Sequence, residues 1–221
     1  MCFSPEADLV TGIVVSGVGI DALRRVPCRR YLPLAALPLL LGLHQVIEAF
    51  AWWGVRGDLP RQVGETAVWV YLAIALVVVP AFVPAAFRSA EADAGRRARL
   101  FPFVLLGVAV AAALLPGLFN SGVGGEAACR YIAYDTGVNY SGYVFPFYVA
   151  ATCLPMLLAS SRRLVFFGMA NLVVVALLGW LLASGVISLW CAWAAVSSVI
   201  LNLEVRSAAR RSERVRSSAP V

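Results

Sequence analysis

The sequence predicts an all-α fold: a polytopic membrane helix bundle of seven transmembrane helices, with the N-terminus out and the C-terminus in. Three observations carry that expectation. Of 221 residues, 61% are hydrophobic, and the mean hydropathy of +0.84 is too high for a soluble domain of this size. Several separate apolar runs approach or exceed the ~20 residues that span a bilayer. All 18 basic residues are arginines, and they cluster between the runs rather than within them.

Ser4-Pro5-Glu6 opens the first helix. Serine can cap, proline suits the first turn, and Glu6 and Asp8 complement the positive end of the dipole. The run continues to about Leu23, with Gly12, Ser16 and Gly19 on one side, a stripe that favours close helix packing. A basic connector with Arg24, Arg25, Arg29 and Arg30 follows. Helix two covers Leu32 to Val55 and ends in Trp52-Trp53, which suit an interfacial belt or packing role. Helix three is expected over Glu65 to Phe87, broken in its second half by Pro80 and Pro84, and helix four over Leu100 to Leu118. Asn120 to Ser141 is the longest connection, long enough to fold back as a cover. Helices five, six and seven are expected over Gly142–Ala159, Leu164–Ser184 and Val186–Glu204. Residues 1–205 thus form one transmembrane domain. Arg206 to Val221 reads as a basic cytoplasmic tail, disordered by composition.

Seven helices put the termini on opposite sides. With the tail inside, 15 of the 18 arginines fall inside, and only Arg56, Arg61 and Arg130 fall outside. The positive-inside rule expects such a split, independently of hydropathy. The acidic start has no basic n-region and no small-residue cleavage site, so no cleavable signal is expected. The chain is therefore assigned to the inner (plasma) membrane. Its partners are the lipid bilayer and, in its interior, a small solute or ion. The net charge of +6 reflects topology and contact of the tail arginines with anionic lipid rather than nucleic acid, for which nothing else in the sequence speaks.

Within helix two the apolar run LLLGLHQVIEAFAWW carries His44, Gln45 and Glu48, including the only histidine of the chain. Spacings of three and four place them on one helical face. Ionisable groups in hydrocarbon cost roughly 2.5–3.5 kcal/mol each on insertion scales, and they usually face the bundle interior or a water-filled cavity. At 1.5 Å per residue, Glu48 falls roughly 10 Å below the outer boundary and Cys191 of helix seven roughly 8 Å. If helices one, two and seven are neighbours, Glu48, Gln45, His44, Cys2 and Cys191 surround an outward-facing polar pocket, covered by the Asn120–Ser141 loop.

The chemistry open to such a set is narrow. A seven-helix zinc hydrolase needs about three histidines, so only a mixed Cys/His/Glu site remains and no metal is expected. A retinal protein needs a Schiff-base lysine, and this chain has none. A serine–histidine protease lacks any supporting motif around Ser16 or Ser188, and one histidine cannot make a bis-histidine haem. No cofactor is expected. The five cysteines (Cys2, Cys28, Cys129, Cys153, Cys191) form no C-x-x-C pair or regular framework, and lone cysteines in apolar helices are more often packing residues.

The opening MCFSPEAD, with HQVIEAFAWW, Cys129-Arg130-Tyr131-Ile132-Ala133-Tyr134 and Ser188-Leu189-Trp190-Cys191, resembles a family of uncharacterised bacterial multi-pass integral membrane proteins that begin MCFS. The resemblance covers essentially the whole chain. It implies the architecture and carries no activity. In that family a glutamine can stand where this chain has His44, which shifts weight towards Glu48 and Gln45. Three function classes fit the residues. The first is a polar intramembrane pocket that binds or passes a small solute, proton or ion. The second is a membrane-embedded enzyme using a thiol or metal at Cys2, Cys191, His44 and Glu48, and the third is a structural or partner-binding subunit. Nothing in the sequence requires an enzyme.

Overall fold

A computed structural model describes residues 4–120, 124–127, 132–135, 144–181 and 186–217. Among them are seven long helices: α1 (Pro5–Arg24), α2 (Leu32–Arg56), α3 (Arg61–Ala90), α4 (Ala94–Leu114), α5 (Val144–Leu157), α6 (Arg162–Leu181) and α7 (Val186–Ser217). One short antiparallel hairpin, β1 (Gly124–Ala127) and β2 (Ile132–Asp135), joins α4 to α5, with Gly124 opposite Asp135 and Ala127 opposite Ile132. The bundle therefore has a hairpin end and an arginine end, the latter holding the turns with Arg24–Arg30, Arg88–Arg99 and Arg162–Arg163. Three helical stretches, Arg29–Arg56, Arg61–Ala90 and Ala94–Phe119, are long and apolar enough to cross a membrane.

Ser4 caps α1 by accepting the Ala7 N–H, with Pro5 in the first turn. That helix lies against α2 backbone to backbone. A Cβ on Gly12 would stand 2.8 Å from the Val46 side chain, and one on Gly42 2.5 Å from the Ser16 amide nitrogen. Gly19 meets Leu39 in the same way. The small-residue stripe legible in the sequence is thus the contact surface, and it sets an antiparallel register that no larger residue fits. At the other end of α2, Gly57 adopts φ 82° and closes the helix by donating its N–H to the Gly54 carbonyl.

The prolines do not break α3. Instead a π-helical turn, Ile74–Val78, precedes Pro80. Widening the helix there relieves the clash between the proline ring and the preceding turn. Val79 donates to the Ile74 carbonyl; in that register Ala75 would next be served by residue 80, which has no N–H. The Tyr148 hydroxyl of α5 donates to the Ala75 carbonyl instead, at 2.7 Å. Pro84 likewise removes the helical donor for Pro80, whose carbonyl Gly107 of α4 approaches closely enough to exclude any Cβ.

Large apolar side chains lie on the exterior as well as in the core, and several polar ones are buried. Val10, Ile13, Val14, Leu105, Phe166 and Val173 are exposed, whereas Asp8, His44, Gln45, Glu48, Asn171, Ser198 and Asn202 are buried. An apolar exterior of this extent suits contact with lipid tails.

At the arginine end, α7 does not stop at Glu204. It continues through the basic stretch to Ser217, where a disordered tail was expected from composition. The reason is tertiary. Glu204 accepts from Arg211 (3.1 Å) and Ser161 (2.8 Å), and Arg206 reaches Asp21 of α1 at 2.7 Å. Val205 and Ala208 are buried between these pairs. On the turn between α3 and α4, Glu91 accepts from the Ser160 N–H and hydroxyl and from the Asp93 N–H. Burial pushes the Glu91 carboxyl up, but these bonds and nearby Arg96 outweigh it and hold it below the usual carboxylate range.

Two predictions follow from this packing. Gly42→Leu forces α1 off α2 and lowers the melting temperature in detergent, by the equivalent of about 1–3 kcal/mol of overpacking. Gly17→Leu, at a position with nothing within 4 Å of a built Cβ, leaves it unchanged. Glu91 has a depressed folded-state pKa, so its contribution is present above the unfolded value of about 4.3 and is lost as pH falls through the folded one. Glu91→Gln should therefore melt below wild type at pH 7, with the gap closing as the pH is taken below 4.

Candidate functional site

The site is built on one face of α2. His44, Gln45 and Glu48, followed by Ala49 and Trp52, recur at spacings of three and four, and all are buried, Glu48 fully and Gln45 with 1% exposed. Two helices close over this face.

On one side is α3. His44 Nε2 lies 3.0 Å from the Tyr71 carbonyl. A carbonyl only accepts, so Nε2 carries the proton and is committed as a donor. The imidazole also stacks on the Tyr71 ring, 4.1 Å between centroids at 5°. Tyr71 in turn stacks on Tyr134 of β2, at 5.0 Å and 27°. A column of three rings therefore runs from α2 through α3 to the hairpin. Ile132, two residues before Tyr134 on the strand, is 1% exposed and packs with Trp52, Tyr71 and Leu72. The described part of the long connection is thus seated on the α2–α3 end.

On the other side is α1. Extending the Gly19–Leu39 and Gly12–Val46 register by one turn brings Asp8 level with the Glu48–Trp52 turn. Asp8 is 1% exposed. It belongs to the same stripe, with Gly12, Val15, Gly19 and Ala22, that faces α2. Sequence reasoning assigned Asp8 only a dipole role and missed it. The signal was present, since continuing the Gly12–Ser16–Gly19 stripe one turn towards the N-terminus reaches residue 8. Tyr71 was missed for a different reason, because an apolar helix with one tyrosine carries no mark of its partner.

The other expected site residues are not brought into this geometry. Cys2 lies outside the described residues, as does Cys129, and the Cys191 side chain lies outside them too, although the α7 backbone is described. Helices α1, α2 and α7 do pack on one another, the condition on which a shared pocket was expected. Trp52 is a core residue rather than a belt residue, with the Arg56 guanidinium 5.1 Å from its ring centre. Among the described residues no group of three His, Cys, Asp or Glu side chains is arranged to hold a metal.

A second polar cluster, unmarked in the sequence, joins α5, α6 and α7. Asn171 donates to the Cys153 sulfur at 3.1 Å, and Trp193 Nε1 donates to Asn171 Oδ1 at 2.6 Å. With its thiol buried and already accepting, Cys153 is a packing and hydrogen-bonding group, not a nucleophile.

No curated protein and no solved structure matches this chain. A family of unknown function, DUF6629, matches residues 1–217. With its whole helical body inside that match, from the Asp8 stripe of α1 to the end of α7, the chain belongs to this family of unknown function.

Proposed function

We propose that the chain is a seven-span inner-membrane protein, N-terminus out and C-terminus in, whose outer half holds a polar pocket that binds or passes a proton or small cation. The observation that carries this reading is the burial of Asp8 and Glu48 at neighbouring levels of α1 and α2, with Gln45 and His44 on the same face of α2. Carboxylates at such depth are costly and are usually kept for a pathway or a ligand. On the same face His44 is committed through Nε2 to the Tyr71 carbonyl. Glu48 and Asp8 are the proton- or cation-carrying groups, Gln45 and His44 their neighbours, and the hairpin with Tyr134 the cover on the outer side.

Flux into liposomes tests the reading directly. Purified protein, reconstituted with an internal pH-sensitive dye and, separately, a sodium- or potassium-sensitive dye, should dissipate an imposed gradient of one of these ions. Glu48→Gln keeps the shape and most bonding capacity, so it should fold and melt as wild type while losing at least about tenfold of the flux. Glu48→Leu removes the bonds too and should lower stability. A Glu48→Gln variant that equals wild type in both folding and flux would reduce the cluster to a helix-tying network.

The orientation has its own test. A reporter active only in the cytoplasm should work when fused after Val221, and one active only outside should work when inserted within Asn120–Ser141. The opposite pattern at either position would overturn the seven-span count.

A further inference from the structure

The helical extension of α7 creates a second site, at the arginine end. Arg206, Ala209, Arg210 and Glu213 recur at spacings of three and four, so they form one stripe. That stripe faces the end of α1 across a cleft of about 460 Å³, whose opposite wall is Arg24, Arg25, Val26 and Pro27. Four arginines line it. Two are held in place: Arg206 by Asp21 (2.7 Å) and by Asn202 (3.1 Å), and Arg25 by the other Asp21 oxygen at 2.9 Å. Asn202 also donates to Asp21 and to the Val18 carbonyl, fixing the carboxylate on which both arginines rest. Arg24 and Arg210 have no acidic partner among the described residues. Glu213 lines the cleft and Asp21 is paired to two of its arginines, so the four arginines leave a surplus of two positive charges.

We propose that this cleft binds the phosphate headgroup of an anionic phospholipid. The chemistry fits on three counts. Guanidinium forks bind phosphate oxygens bidentately. Arg206 and Arg25 are pre-organised by Asp21, so little side-chain freedom is lost on binding. The cleft opens where the apolar run of α1 ends, which is the headgroup depth of a membrane-spanning helix, and basic pockets between helices at that depth bind anionic headgroups. Val26 and Pro27 supply an apolar wall on which the glycerol portion can rest. This assignment rests on the membrane reading above and is independent of the Glu48 pathway.

The test uses the full chain purified in a neutral detergent, with lipid retention read by native mass spectrometry. Phosphatidylglycerol and phosphatidylcholine of identical acyl chains are titrated, with glycerol 3-phosphate as the soluble source of the same headgroup chemistry. Arg24→Gln with Arg210→Gln removes two cations that hold no acidic partner among the described residues. Arg97→Gln with Arg99→Gln removes two exposed cations at the same end but outside the cleft. Wild type should hold phosphatidylglycerol well above phosphatidylcholine. The cleft variant should weaken it about thirty-fold, at roughly 1 kcal/mol per arginine, while the control pair changes it less than threefold and both melt as wild type. Equal retention of the two lipids, or an equal loss in the two variants, would overturn the site. Glycerol 3-phosphate binding as tightly as the lipid would overturn the lipid as its source. Extraction of the chain from membranes by carbonate alone would instead remove the membrane reading on which the site depends, and that result is separate from the lipid titration.

Discussion

The structure depends first on how closely α1 approaches α2. Gly12, Gly19 and Gly42 bring the two backbones together with no room for a Cβ. Packing and backbone contact, rather than burial of large side chains, hold such an interface, as they do between helices packed in apolar surroundings. The register that results is rigid. Sliding α1 by one residue would carry Thr11 or Ile13 into the place of Gly12, and neither fits against Val46. The depth of Asp8 relative to Glu48 is therefore set by glycines more than a turn away from either carboxylate.

A comparable constraint acts on α3. Pro80 and Pro84 remove two N–H donors in consecutive turns, and the helix answers with a π turn and with partners borrowed from its neighbours. Tyr148 serves the Ala75 carbonyl, and Gly107 closes on Pro80. The Tyr71 carbonyl, just before the π turn, accepts from His44. Each of these contacts links α3 to a different helix. The prolines thus act as docking points rather than as breaks, and the buried imidazole owes its donor role to a backbone acceptor on the same residue whose ring it stacks upon.

Much of this was legible in the sequence, and the exceptions have physical causes. Helix order, the apolar exterior and the small-residue stripe follow from composition and spacing, which act locally. The polar face of α2 was also legible, because His44, Gln45 and Glu48 interrupt an otherwise unbroken apolar run. Asp8 was not recognised, since near a helix start an acidic residue has a sufficient local reason to be there, and only the register against α2 shows it buried. The helical state of residues 206–217 was hidden for the same kind of reason. Five arginines predict repulsion, but Asp21 and Glu204, distant or upstream in sequence, neutralise part of that charge in three dimensions. Nor could the Cys153–Asn171–Trp193 contacts be read from three residues on three helices.

The two aspartates of α1 make the final distinction. They lie 13 residues apart, about 20 Å along one helix. Asp21 is partly exposed and takes Arg25, Arg206 and Asn202 as partners. It is an ordinary end-of-helix carboxylate, and its task is to seat α7. Asp8 lies in the other half, buried at the level of the Glu48–Trp52 turn of α2. A bundle needing only mechanical ties has cheaper ones available and uses them, as Asn171 and Trp193 do with neutral groups. Placing two carboxylates at neighbouring levels, on the two most tightly packed helices, adds a desolvation cost that neutral ties avoid. That cost is the physical argument behind the role proposed for Asp8 and Glu48, and it sets their half of the bundle apart from the arginine end, whose Asp21 pairs are partly exposed.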